Sequence, residues 1–153
     1  MASNSLVEDT VMEQLVRQTS KVLIIVCDEI SLDLRDRLSQ SALYKVLESH
    51  GLPYEDGLGA RIKKRLEENP EIYIVAFLAH KKCTCCMEQY FGDDQRMLEA
   101  FQLSFPSTGE LVAHTAMMQA VDTAAKFNAS LSRKSNVEVT TWFLDDITGE
   151  VSF

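Results

Sequence analysis

Residues 79 to 95, AHKKCTCCMEQYFGDDQ, hold three of the chain's four cysteines, one of its three histidines and two lysines. Two kinds of chemistry are open to such a set. His80, Cys83, Cys85 and Cys86 are donors of the kind zinc takes. A thiol near Lys81 and Lys82 could also be a nucleophile, because nearby cations favour the thiolate. The spacing H-x2-C-x-C-C argues against a metal knuckle. The usual unit is C-x2-C, in which two intervening residues let both sulfurs turn to one ion, whereas C-x-C and C-C are awkward for it. No second knuckle is evident, since His50, His114 and Cys27 stand alone. The favoured reading is therefore a long, polar, mobile connection carrying free thiols, with neither metal nor cofactor. A zinc-binding or thiol-dependent site on His80, Cys83, Cys85 and Cys86 is the alternative.

Other candidates are weaker. Cys27 beside Asp28 and Glu29 reads as a buried structural thiol, whose ionisation the carboxylates would oppose. Asp93-Asp94 and Asp145-Asp146 read as turn residues, and His114 as a solvated or core-edge histidine. There is no H-x-E with P-C-x2-C, no G-x4-G-K-[ST], no G-x-G-x2-G and no G-x-S-x-G. No catalytic constellation converges, which favours a non-enzymatic module.

The elements that would carry these residues follow from periodicity. Ser5 to Glu8 makes a capping box, and Val7, Val11, Leu15, Val22, Val26 and Ile30 form a stripe, so a helix is expected over about 5 to 29. Its end, KVLIIVC, is apolar all round and is either deeply buried helix or a strand. A second helix is expected over about 33 to 50, stopped by Gly51 and Pro53, and a third on Leu58, Ile62 and Leu66, stopped at Pro70. Residues 71 to 79, EIYIVAFLA, read as a buried central strand. Residues 97 to 105, MLEAFQLSF, alternate and read as a half-buried strand. A long helix at about 110 to 131 and an alternating strand at 137 to 144 follow, with EVSF as a short return strand. The sum is an α+β single domain over 1–153, a long N-terminal helix packed on a mainly antiparallel sheet.

The 153 residues and 46% hydrophobic content suit one folded domain. A net charge of −8 disfavours direct binding to nucleic acid or to an anionic membrane surface. The opening residues, MASNSLVEDT, lack the basic and apolar regions of a signal peptide, and VLIIV is too short to span a bilayer. A cytoplasmic or nuclear location and reduced cysteines are the resulting expectation.

The second half resembles HORMA domains, the family of mitotic-checkpoint, repair-adaptor and meiotic chromosome-axis proteins. Leu98, Glu99, Phe101 and Leu103 match one strand pattern of that family, and Val139, Phe143, Leu144, Asp145 and Asp146 another. The resemblance implies a protein-protein interaction adaptor or regulatory module, with the family's C-terminal safety belt shortened or missing because the sequence ends at Phe153. The expected partner is a protein or peptide added to a sheet edge at 137 to 144, where Val139, Thr141, Trp142 and Phe143 would bind it and Trp142 would anchor it.

Overall fold

The computed structural model describes residues 3–5, 21–40, 44–132, 134–146 and 148–152. Along these the elements run β1 (Ser3–Ser5), β2 (Lys21–Cys27), α1 (Leu32–Gln40), β3 (Tyr44–Ser49), α2 (Asp56–Glu68), β4 (Ile72–His80), α3 (Thr84–Phe91), α4 (Gln95–Ser104), α5 (Thr108–Ser130), β5 (Glu138–Leu144) and β6 (Glu150–Ser152). Six strands form one sheet in the order β1-β6-β5-β4-β2-β3. The pairs β3–β2, β2–β4 and β4–β5 are parallel, and β5–β6 and β6–β1 are antiparallel. Among the described residues no helix is long and apolar enough to cross a membrane.

The parallel part is buried on both faces, which is why β2 and β4 are apolar all along rather than alternating. Leu23, Ile25 and Cys27 point to one face with Val75, Phe77 and Ala79. Val22, Ile24 and Val26 point to the other with Ala76 and Leu78. Leu58 and Ile62 of α2, and Ala116, Ala120 and Phe127 of α5, cover the first face. Leu38 of α1 covers the second, together with Trp142, Leu144 and Val151.

This is α/β with a mixed, mostly parallel sheet, so the mainly antiparallel α+β expectation is corrected. The sequence KVLIIVC resolves as strand β2, not as the end of a helix; the remainder of that expected helix, 6–20, lies outside the described residues. The helix expected at 33 to 50 is α1 followed by β3, whose Val46 and Leu47 mimicked a helical stripe. MLEAFQLSF is helix α4 rather than a strand: Asp94 accepts a hydrogen bond from the Met97 amide (3.0 Å) and caps it. Positions four apart share a face in both structures, so a nine-residue alternation could not decide. On the helix Phe101 meets the Phe91 ring at 5.5 Å, while Leu103 is 90% exposed. The third helix, the strand at 71 to 79, the long helix near 110 to 131 and both final strands stand where expected.

The segment anticipated as a sheet edge, 137 to 144, is interior in the strand order. Strand β5 pairs with β4 along its length and with β6 at Phe143 and Leu144. Trp142 is 5% exposed and lies in the second core layer, so its indole is a packing group rather than an exposed anchor. Val139 and Phe143 pack against the first layer, and Thr141 is half-buried beside Phe77 in the parallel register.

Candidate metal centre

The strand order has a switch point. From β2 the chain crosses to β3 on one side, then returns over β2 to β4 on the other. In open α/β sheets, the carboxyl ends of the strands flanking such a point leave a crevice where ligands bind. Here those ends are Cys27, the last residue of β2, and His80, the last residue of β4. Two residues past His80 the chain turns into α3, with Cys83 at the cap position and Cys85 and Cys86 in its first turn.

All four cysteines are buried and none is paired in a disulfide. Cys83 and Cys27 have their sulfurs 3.7 Å apart, and Cys27 and Cys85 theirs 3.9 Å apart. The donor atoms of Cys27, Glu29, Cys83 and Cys85 all lie within 4.8 Å of one another. Glu29 comes from the loop after β2 and caps α3 from outside that helix. One carboxylate oxygen accepts from the Cys85 amide at 2.6 Å, and the other accepts from the Thr84 hydroxyl. Cys86 lies outside that set, with its sulfur 2.7 Å from that of Cys83 and 3.1 Å from the amide oxygen of Gln119 on α5. Gln119 also holds the Leu52 amide (2.7 Å) and Gln89 (2.7 Å), fixing α3 against α5 and the loop after β3.

His80 is 1% exposed. Its Nδ1 is hydrogen-bonded to Asp146 at 2.9 Å, and the second oxygen of Asp146 accepts from the Lys81 amide at 3.2 Å. Its Nε2 is buried without a hydrogen bond of good geometry, and beyond Asp146 the ring interacts with the Cys27 thiol and the Glu29 charge. A buried nitrogen without a partner is costly, and an imidazole whose other nitrogen is tied to a carboxylate is the usual arrangement of a metal-ligating histidine.

The electrostatics are those of a thiol nest without a cation. The hydrogen bond with Cys83, and then burial, push the Cys27 thiol up to about 12. Cys83 is favoured as a thiolate by the hydrogen bond with Cys27, but Cys86 and burial outweigh this and carry it up to about 12. Burial, then the Glu29 carboxylate, raise Cys85 as well. Burial opposes a charged ring at His80, yet the Asp146 hydrogen bond and the Cys27 contact prevail and raise it to about 9. Burial raises Glu29, but the hydrogen bonds from Cys85 and Thr84 outweigh it and leave the carboxyl below its ordinary value. A divalent ion would reverse this pattern, because it replaces thiol protons.

The donors fit zinc. Two sulfurs at about 2.3 Å from one tetrahedral ion stand about 3.8 Å apart, which is the separation of Cys27 from both Cys83 and Cys85. Of the alternative set suggested by spacing alone, Cys83 and Cys85 belong to this cluster, His80 meets it at Cys27, and Cys86 lies outside it. Cys27 and Glu29 were missed. Cys27 passed for an isolated thiol because periodicity leaves its segment open between the end of a helix and a strand. The available signal was a pair of apolar runs, one ending in C-x-E and the other in H-x2-C. The mobile-loop expectation for 83 to 86 is likewise corrected. Replacing Cys83, Cys85 and Cys86 together with serine is expected to cost several kcal/mol, since each buried hydroxyl left without a partner costs about 1–3 kcal/mol. A urea titration giving a loss of about 1 kcal/mol or less, as for surface changes, would restore the loop reading.

No family model matches the sequence, and no curated protein matches it. Solved structures do match the fold. The wild-type β-carbonic anhydrase CafD of the filamentous fungus Aspergillus fumigatus aligns at a TM-score of 0.62 with 14% identity, over 86% of this chain and 87% of that one. A cysteine-to-alanine mutant of the same enzyme aligns at 0.64 with 13% identity, over 99% and 98%. A tetrameric β-carbonic anhydrase of the filamentous ascomycete Sordaria macrospora aligns at 0.61 with 12% identity, over 95% and 86%. These neighbours overturn the HORMA resemblance and, with it, the interaction-adaptor reading and the question of a missing safety belt. The resemblance failed physically because MLEAFQLSF, one of its two strand patterns, is helix α4. The chain has the fold of the β-carbonic anhydrases.

Proposed function

We propose that this chain is a zinc-binding protein that holds one ion through Cys27, His80 and Cys83, and that the ion serves hydration of carbon dioxide, the reaction for which the fold neighbours are named. The observation that carries the reading is the buried, unpartnered Nε2 of His80 at a switch point where the Cys27 and Cys83 sulfurs already stand 3.7 Å apart. Cys27 and Cys83 would bind as thiolates and His80 through Nε2, with Nδ1–H donating to Asp146 and fixing the tautomer. Bound there, zinc supplies Lewis acidity and makes water a nucleophile near neutral pH. Glu29 stands at the solvent edge of the cluster with its carboxylate held by Thr84 and the Cys85 amide. Its lowered pKa keeps it a carboxylate, whose negative charge at the edge of the cluster would suit a bound cation. Gln119 keeps α3, and so Cys83, in place.

The test is metal content. Purified chain dialysed against zinc-free buffer is expected to keep one equivalent of zinc, and any carbon dioxide hydration measured by stopped flow is expected to vanish on its removal. A chain that neither retains nor takes up zinc would falsify the reading. Retained zinc with a hydration rate indifferent to its removal would leave the binding role and remove the enzymatic one.

A further inference from the structure

Cys27, Glu29, Cys83 and Cys85 offer donor atoms within 4.8 Å of one another, and His80 meets this cluster at Cys27, so five candidate donors stand where a tetrahedral ion takes four. Cys27, His80 and Cys83 account for three, leaving Glu29 and Cys85 to compete with water for the last. Both oxygens of Glu29 are already engaged at the N-terminus of α3. The Cys85 thiol interacts with the Glu29 carboxylate, but its sulfur already stands 3.9 Å from that of Cys27, the separation of two thiolates on one tetrahedral ion. It also lies 3.4 Å from His50 Nδ1 and 4.0 Å from Asp28, weak thiol contacts that a zinc–thiolate bond would replace. Cys85 is 2% exposed, so the thiol cannot be solvated instead. Cys86 is excluded as a rival. Its sulfur is 2.7 Å from that of Cys83, far inside the separation of about 3.8 Å that two thiolates on one tetrahedral ion require.

We infer that Cys85 is the fourth ligand of the resting centre, so that zinc is held by three thiolates and one imidazole with no position open to water. The inference rests on the zinc reading above. It assigns Cys86 a supporting part: its one thiol proton can go to Gln119 or to the Cys83 sulfur, and with Cys83 a thiolate on zinc it would go to Cys83. The ligand exchange needs no redox step. Were water to take the place of Cys85, the thiolate would accept that water's proton and become a thiol.

X-ray absorption at the zinc edge of the purified protein reads this directly, because Zn–S at about 2.3 Å separates from Zn–N and Zn–O at about 2.0–2.1 Å. Three sulfurs and one light atom are expected for the wild type. Cys85→Ser and Cys85→Ala are each expected to keep one zinc and show two sulfurs, and Cys86→Ser to keep three. Cobalt-substituted protein supplies a second readout, with thiolate charge-transfer absorbance lower in both Cys85 variants and unchanged in Cys86→Ser. Two sulfurs in the wild type, or a count that Cys85→Ala leaves unaltered, overturns the inference while the zinc reading stands. Wild-type protein that carries no zinc overturns both, and is recognised at once from the metal content.

Discussion

Cys27→Ser is expected to reduce zinc affinity by well over about 100-fold, and Asp146→Asn by less. The first removes a donor at the centre of the cluster, since Cys27 is the residue that both Cys83 and Cys85 approach. The second leaves every donor in place and weakens only the hold on His80 Nδ1, a change of the kind that costs roughly 10–100-fold. Competition against a chromogenic chelator ranks the two. The same ligation has a thermal signature. Free zinc at about 100 times its Kd adds roughly 2.7 kcal/mol, or roughly 5–11 °C in a domain of this size. Chelator should lower the Tm of the wild type by that order and leave Cys27→Ser unchanged. Equal and small affinity losses for the two variants would remove Cys27 from the ligand set.

Phe77→Ala is expected to be among the most destabilising single changes in the chain, at about 3–5 kcal/mol. Phe77 lies in the middle of β4, fully buried, with its ring meeting Phe127 of α5 edge-on at a centroid distance of 6.0 Å. Its neighbours on the parallel ladder, Ile25 and Thr141, belong to two other strands, so no single element can shift to fill the space. Leu103→Ala is the matched control. That side chain is 90% exposed on α4, and its loss should stay within about 0.5 kcal/mol. Urea denaturation compares them, and a cost below about 2 kcal/mol at Phe77 would mean that this core layer can collapse around a cavity.

Legibility followed burial. Strand β4 was plain in the sequence because an apolar run bounded by Pro70 and His80 is too short for a buried helix and too uniform for a half-exposed strand. Helices α2 and α5 declared themselves through long periodic faces and, for α5, the break at Pro106 and Ser107. Strand β2 was ambiguous for a physical reason. A strand buried on both faces has no period of two, so Val22 and Val26 fitted a helical stripe as well. That one ambiguity hid most of the site. With Cys27 on a helix, the histidine and cysteines after β4 lacked a partner and looked like loop residues. With Cys27 at the end of a neighbouring parallel strand, they face it. The helix of the cysteines was unreadable locally, because Glu29 caps its first turn from a distant loop rather than from a residue beside it.

The parallel pairing of β2 with β4 also governs when the centre comes into being. Cys27 and Cys83 lie 56 residues apart in the chain and meet only after β3 and α2 have crossed over and β4 has docked. Closing so long a loop is entropically slow, and contacts of this separation are assembled late on the route to the native state. No short fragment brings the two sulfurs together, so tight zinc capture should accompany the final ordering of the sheet rather than nucleate it. In refolding experiments, added zinc would then slow unfolding while leaving the folding rate almost unchanged, the kinetic mark of an interaction absent from the transition state.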